Sequence, residues 1–467
     1  PQAKIMTIDS FCLELIRDHY NTLDIDPAFR IGDEGELTLL KGDVMEQVLE
    51  SCYEEADDAF IRFSEQFGGG KSDKAMEDVI LQAWQFSQSH PWPDEWLLWC
   101  RQQMEAESAG DLDSSVWMQF LLKDISLQME ELAAQAEEAL ETAREENGPL
   151  VYEPMLMNDI SRLKKIKEAA DTGSFAAFYQ AASQLSFDRL AAARGKDIDP
   201  DKKAFVSEIR TRVKKAAEKC RDTYASQSQE EAAQGIRNTK TVINVLLDMV
   251  KRFDTAYTEA KRERNVLDFN DLEHLALKVL VEKEKCIEDG DHVVKNQEND
   301  ILRPSAAAIE LSEQYEEILV DEYQDSNLVQ EMLIRSISRE RTGRPNVFMV
   351  GDVKQSIYRF RLARPELFME KYDTYSQADS EKQRIDLDRN FRSRKEVLDA
   401  TNYVFEQIMH KSVGGVEYDA RAALYPGADY PKSREQNGVS ANRAELLLVD
   451  AQELEEEDNA RRLEARA

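Results

Sequence analysis

Residues Ile318-Leu319-Val320 form an apolar run that ends in two adjacent carboxylates, Asp321 and Glu322. Such a run reads as a buried strand of a parallel sheet. Further apolar strand candidates at Val347–Val350 and Ile385–Leu387, with helical segments between them, extend the same reading. Each is followed by a polar string. After the second comes Gly351-Asp352-Val353-Lys354-Gln355-Ser356-Ile357-Tyr358-Arg359-Phe360-Arg361, and after the third Asp388-Arg389-Asn390-Phe391-Arg392-Ser393. All three strings fall at the carboxyl ends of strands, where open α/β sheets bind ligands. A carboxylate pair at such an edge suits nucleotide hydrolysis, with one group near Mg²⁺ and the other beside the attacking water.

Upstream the pattern is different. From about 35 to 262 it is almost entirely helical, with Met129, Leu132, Ala136 and Leu140 recurring at helical spacing. Val242, Leu246, Met249, Phe253, Tyr257 and Ala260 recur in the same way. Before this block, Lys4 to Thr7 is a strand candidate and Ser10 to about Tyr20 a helix. Gly68-Gly69-Gly70, Asn147-Gly148-Pro149 and the stretch from Gly195 to Pro200 mark loops. Trp84, Trp92, Trp96, Trp99 and Trp117 fall in one part of the block, fitting interhelix packing or a partner surface. Lys164, Lys165 and Lys167, and then Arg210, Arg212, Lys214, Lys215, Lys219 and Arg221, read as solvated helix faces or as duplex contacts.

The 467 residues suffice for roughly two to four domains. The net charge of −32 argues against simple long-range attraction to nucleic acid. It leaves open a local groove that grips a single strand by base stacking. Cys12, Cys52, Cys100, Cys220 and Cys286 are scattered and form no Cys-x-x-Cys pair, which fits reduced thiols in a cytoplasmic protein better than a zinc site. No 18-residue apolar run indicates a membrane span.

The three strings resemble the Walker B motif, motif III and motif IV of superfamily 1 DNA helicases of the UvrD/Rep type. Thr7-Ile8-Asp9-Ser10-Phe11-Cys12 resembles that family's motif Ib, and Leu267-Asp268-Phe269-Asn270-Asp271-Leu272 its Asp-Phe-x-Asp-Leu element. Within the family, Asp24-Ile25-Asp26-Pro27-Ala28-Phe29-Arg30, Asp321-Glu322-Tyr323-Gln324-Asp325 and Ser356 to Ala363 are most similar to the AddA group of helicase–nuclease subunits. The resemblance covers roughly the first thirty residues and about 265 to 450.

The resemblance implies an α/β fold: a RecA-like parallel-sheet P-loop NTPase core with a large all-helical insertion domain. It places the start of motor domain 1A at 1–30, the insertion 1B at 31–262, the rest of 1A at 263–395 and the start of domain 2A at 396–467. A strand at Glu445 to Val449 would open domain 2A. ATP and Mg²⁺ are the implied cofactors. Asp321 then holds the hydrated Mg²⁺, and Glu322 orients and deprotonates the attacking water. Gln355 senses the γ-phosphate, Gln324 joins its network, and Arg392 contacts the γ-phosphate with a planar fork suited to it. Phe391 stacks on adenine where relatives usually carry Tyr. Tyr358 and Phe360 stack on single-stranded bases, Arg359 and Arg361 add phosphate or nucleotide contacts, and Thr7, Ser10 and Phe11 are further DNA contacts. The implied partners are single-stranded and duplex DNA and a second, AddB-type chain, and the implied activity is 3′→5′ translocation with nuclease action in double-strand-break repair.

Two departures bear on this reading. The family's motif Ib histidine is Asp9 here. No Gly-x-x-x-x-Gly-Lys-Ser/Thr phosphate loop occurs in the sequence, so the chain reads as an internal piece of a larger protein that does not hydrolyse ATP by itself. A stand-alone UvrD/Rep-type repair helicase and a catalytically inactive DNA- or protein-binding scaffold remain as alternatives.

Overall fold

The structure, a computed structural model, describes residues 3–67, 72–109, 112–194, 197–282, 303–359, 362–410, 417–431, 435–436, 439–440 and 444–445. Cys286, Phe360, Arg361, the Gly68–Gly70 loop and all but Glu445 of the strand expected at 445–449 lie outside the described residues. Two compact units organise the chain. The first runs to Val279, and the second holds Leu280–Glu282 and the described residues from Arg303 onward.

The first unit opens with α1 (Ile8–Asp18) and a single turn, α2 (Tyr20–Leu23). Residues 3–7 form no strand, contrary to the sequence expectation. Thr7 instead caps α1, its Oγ1 accepting the Ser10 N–H at 3.2 Å, so the segment is committed to starting a helix. The short strand β1 (Arg30–Ile31) pairs in parallel with β2 (Val266–Leu267). Among the described residues, nine helices fill the interval between them: α3 (Glu34–Glu55), α4 (Asp58–Phe67), α5 (Lys74–Gln88), α6 (Pro93–Ala109), α7 (Val116–Arg144), α8 (Glu153–Asp171), α9 (Phe175–Ser183), α10 (Pro200–Tyr224) and α11 (Gln229–Glu263). Helix α12 (Phe269–Leu280) follows β2.

These helices enclose two cores. Leu40, Val44, Phe63, Ile80 and Trp84 pack against Val250, Phe253 and Tyr257 of α11. Leu122, Ile125 and Met129 of α7 pack against Leu156 and Leu163 of α8, Phe178 of α9 and Val206 of α10. Helix α11, 35 residues long, reaches about 52 Å and borders both, with Ile236 against the second core and Val250 against the first. Its first turn is fixed by a capping box between Ser228 and Glu231.

The tryptophans divide. Trp84 is buried, edge-on to Phe253 and Tyr257, and donates to Asp254 at 2.9 Å, whereas Trp117 is 72% exposed. Several residues of the basic clusters pair with acidic neighbours. Lys164 pairs with Glu137 at 2.7 Å, Lys167 with Asp171 at 3.0 Å, and buried Arg210 with Asp159 at 2.6 Å.

The Asp-Phe-x-Asp-Leu element is a helix start. Asp268 Oδ1 accepts the Asp271 N–H at 2.9 Å and Asp271 Oδ2 accepts the Asp268 N–H at 2.8 Å, a reciprocal cap on α12. Lys261, buried on α11, donates to Asp268 at 2.9 Å and to Asp271 at 2.6 Å and so ties the two helices together.

In the second unit β3 (Val281–Glu282) pairs antiparallel with β4 (Arg303–Pro304), and α13 (Ala306–Gln314) follows under a Ser305 cap. Strand β5 (Ile318–Val320) runs parallel to β6 (Val347–Met349), Ile318 opposite Val347. Helix α14 (Leu328–Ile337) connects them and packs on α13, with Val329, Leu333 and Ile337 buried. Helix α15 (Pro365–Thr374) follows β6. The strand expected at Ile385–Leu387 is not formed, and both side chains are mostly exposed. Pairing begins two residues later, in β7 (Arg389–Asn390), where parallel β8 (Tyr425–Pro426) supplies the backbone partner. Helix α16 (Lys395–Ile408) lies between these two strands in sequence. Among the described residues each sheet has two strands.

Candidate functional site

The site in the second unit is built on the ends of β5 and β6. Past Val320 the ladder continues through two backbone bonds, Val350 N–H to Val320 O at 2.8 Å and Tyr323 N–H to Val350 O at 2.9 Å. Asp321 and Glu322 leave the strand in between and both are exposed. Glu322 has φ 49°, a left-handed conformation that costs a non-glycine residue strain and recurs at functional turns. Its N–H donates to Asp321 Oδ1 at 3.0 Å.

Gln324 is fully buried beneath this pair. Its Nε2 donates to Glu322 Oε2 at 2.7 Å and to Asp325 Oδ2 at 3.4 Å, while its Oε1 accepts the Asp352 N–H at 3.0 Å. One amide thereby joins the carboxylate pair after β5 to the turn after β6, using donor and acceptor together. Gly351 makes the approach possible, since a Cβ there would lie 2.6 Å from Gln324 Oε1 and 3.0 Å from the Phe368 ring. Burial, with the charge of Glu322, pushes the Asp325 carboxyl up.

Asp352 organises the next turn. It pairs with Lys354 at 2.9 Å and accepts from Gln355 Nε2 at 3.0 Å. Burial alone would raise the Asp352 carboxyl; the hydrogen bonds from Lys354 and Gln355 outweigh it and hold the group below the usual carboxylate range. The chain then exposes Ile357, and Tyr358 is 37% exposed. Arg359 pairs with Glu366 at 3.1 Å across the surface.

Phe391 and Arg392 follow β7. The Phe391 ring lies against Gly427, where a Cβ would come within 2.8 Å of it, and the Phe391 carbonyl accepts from Tyr430 Oη at 2.9 Å. The ring is 67% exposed, an aromatic surface backed by glycine and open to stacking. Arg392 is exposed, its N–H on Asn390 Oδ1 at 3.0 Å. Among the described residues it makes no ion pair or hydrogen bond with Asp321, Glu322 or Gln355. The structure therefore brings Asp321, Glu322, Gln324 and Gln355 into one network and does not join Phe391 or Arg392 to it.

Thr7, Ser10 and Phe11 belong to the first unit. Thr7 and Ser10 face solvent and hydrogen-bond each other at 2.9 Å as a helix cap, and Phe11 is half-buried. Asp9, in the place of the histidine, is half-buried and its carboxyl is pushed up by burial. It lies close enough to Cys12, together with Glu273, for both charges to reinforce burial in pushing that thiol up.

Three contributors carry no signal of their own in the sequence. Glu331 on α14 and Lys371 on α15 are charged residues of amphipathic helices until the fold closes them on Tyr323. Gly427 lies 36 positions beyond the ring it supports. Gly351, by contrast, is visible inside the second string. Among the described residues no group of three or more His, Cys, Asp or Glu side chains converges on one point, and Asp321 is an exposed carboxylate at the end of β5. One exposed carboxylate is compatible with Mg²⁺, which keeps its waters and binds through one or two carboxylates plus phosphate oxygens.

The sequence that builds this geometry has known relatives. A family model described as the UvrD/REP helicase N-terminal domain matches residues 1–376. The chain is 42% identical over 460 residues to a protein of Lachnoclostridium phytofermentans named as one of the subunits of an ATP-dependent helicase/nuclease, covering 97% of this chain and 32% of that one. Proteins of the same name from Geobacillus kaustophilus and Clostridium beijerinckii are 39% and 36% identical, covering 98% and 96% of this chain and 36% and 35% of theirs. The chain thus spans about a third of the length of the curated relatives it matches. No helix among the described residues is long and apolar enough to cross a membrane.

Proposed function

The chain belongs to the UvrD/REP helicase family, and from that premise we propose that it is part of the motor of an ATP-dependent helicase–nuclease moving 3′→5′ on single-stranded DNA. The single observation that carries the reading is the buried amide of Gln324, bonded at once to Glu322 and to the turn that presents Gln355 and Tyr358. A buried amide is hydrogen-bonded in any fold; here its partners lie on the two turns assigned to hydrolysis and to strand grip. In a motor such a bridge lets hydrolysis and strand grip report to each other.

In this reading Glu322 is the base for the attacking water, and the Gln324 donor fixes which carboxylate oxygen faces it. Asp321 would hold Mg²⁺ through water, and the ion when bound would neutralise charge on the phosphates. Gln355 rests on Asp352 and exchanges that partner for the nucleotide. Phe391 stacks on the base, and Arg392 supplies permanent charge to the phosphates. Tyr358 takes a base of the single strand by stacking worth ~1–3 kcal/mol without reading sequence. Phe360, Arg359 and Arg361, next in the sequence, are assigned further strand or nucleotide contacts, and Thr7, Ser10 and Phe11 are assigned further contacts from the first unit. Residues 31–262 act as a helical insertion within the motor. Duplex DNA, a second chain of the AddB type, a cytoplasmic location and a role in double-strand-break repair complete the proposal and rest on the relatives' names and on the family.

The test is steady-state ATP hydrolysis by the full-length protein with and without oligo-dT. Stimulation by about tenfold or more supports the motor reading. Turnover indifferent to DNA contradicts it and favours the inactive scaffold.

A further inference from the structure

The segment after Glu322 carries a buried polar triad that the hydrolytic machinery does not use. Tyr323 has no exposed surface and its Oη donates to Glu331 Oε2. Glu331, 6% exposed on α14, accepts Lys371 Nζ on its other oxygen at 2.8 Å. Lys371, on α15, also stands 5.0 Å over the Tyr323 ring. Both oxygens of one buried carboxylate are thus filled by charge-assisted or phenolic donors, an arrangement with two directional constraints and little slack.

The triad has a particular position in the chain. Tyr323 immediately follows the strained Glu322, and its own N–H is bonded to Val350 O at 2.9 Å, so a shift of the Tyr323 backbone bears directly on Glu322. Lys371 lies on the helix that immediately follows the motif III loop carrying Tyr358. One turn before Lys371, Phe368 touches the Tyr323 ring at 6.3 Å between centroids and closes on Gly351. A second tie runs alongside, from Arg364 N–H to Ser326 O at 2.9 Å. At the start of α15 the loop closes through Leu362, at φ 65°, with its N–H on Arg359 O at 2.9 Å. Glu322 and Leu362 are the two non-glycine residues with left-handed backbone among the described residues of the second unit. Left-handed backbone thus occurs at the residue before Tyr323 and at the residue that ends the loop before α15.

We propose that Tyr323, Glu331 and Lys371 are positioning residues that transmit single-strand binding on the Tyr358 loop, through α15, to the orientation of Glu322. This rests on the motor reading and deepens it by assigning the path of DNA stimulation. The Gln324 bridge holds the Glu322 carboxylate; the triad sets the backbone that carries it. A displacement of the base by a fraction of an ångström is enough to change turnover strongly.

The experiment uses the full-length protein and its Tyr323→Phe variant, which removes one hydroxyl and keeps the ring in place. Lys371→Met is the second variant. ATP turnover is measured against oligo-dT concentration, beside oligo-dT affinity by fluorescence anisotropy and the melting temperature. The ratio of DNA-stimulated to basal turnover falls about tenfold in both variants, with oligo-dT affinity held within about twofold. If Tyr323→Phe keeps the wild-type ratio while the wild type is stimulated, the link is overturned and the motor reading stands. If basal and stimulated turnover fall together with melting temperature, the triad is structural only and the link is overturned. An unstimulated wild type overturns the motor reading and the link with it.

Discussion

The side-chain amide of Gln324 lies 2.7 Å from the Glu322 carboxylate and, on its other end, 3.0 Å from the Asp352 N–H. Replacing it with glutamate keeps the shape and the acceptor but sets a second carboxyl against Glu322. In the full-length protein we expect Gln324→Glu to lower kcat by about 10- to 100-fold while KM for ATP changes by less than about threefold. Steady-state kinetics decide it, and unchanged kcat would remove Gln324 from the account of the base.

Phe391 is expected to set nucleotide affinity. Phe391→Ala should raise KM for ATP by about tenfold, while Phe391→Tyr, which keeps the stacking face, stays within about twofold. Gly427→Ala should act in the same direction as Phe391→Ala, because its Cβ would sit 2.8 Å from the ring and push it aside. Equal KM values across the series would show that the ring does not touch the nucleotide.

How much of this was legible in the sequence depends on the range of the interaction. The carboxylates at 321 and 322 and the turn glycine at 351 announced themselves because strand, turn and string are local. The Thr7 cap was equally local, and reading Lys4–Thr7 as a strand overlooked that a threonine directly before the apolar-periodic run from Ile8 offers a helix start. Ile385 and Leu387 alternate as a strand does, yet a strand needs a neighbour, and Tyr425 pairs further along at Arg389. Glu331, Lys371 and Gly427 acquire their roles only when distant elements meet. The capping function of Asp268 and Asp271 was hidden behind a family motif, although the three-residue spacing of a capping box was on view.

The Lys261 ion pairs are expected to hold the first unit together. Lys261→Met leaves Asp268 and Asp271 facing each other with their hydrogen-bonded counter-charge gone and only Lys41 acting on Asp268, at a cost of about 3–5 kcal/mol in unfolding free energy. Adding Asp268→Asn to it should return part of that loss. Urea denaturation followed by circular dichroism measures both, and a loss below about 1 kcal/mol for the single variant would contradict the role.

Acid should loosen the turn at Asp352. Its folded carboxyl is held below the unfolded value by Lys354 and Gln355, so the stabilisation is present above the unfolded value near pH 4 and is lost as pH falls through the lower folded one. The melting-temperature gap between wild type and Asp352→Asn is therefore expected to be largest near about pH 6 and to shrink toward about pH 3. A gap that widens on acidification would reverse the assignment.

The central claim is that Glu322 performs hydrolysis on a site that grips DNA separately. The most direct measurement is the Glu322→Gln variant of the full-length protein, assayed for oligo-dT-stimulated ATP turnover and for oligo-dT binding in the same preparation. The account predicts turnover reduced by at least about 100-fold with DNA affinity retained. Turnover equal to wild type would contradict the assignment of the base and, with it, the motor reading built on the ends of β5 and β6.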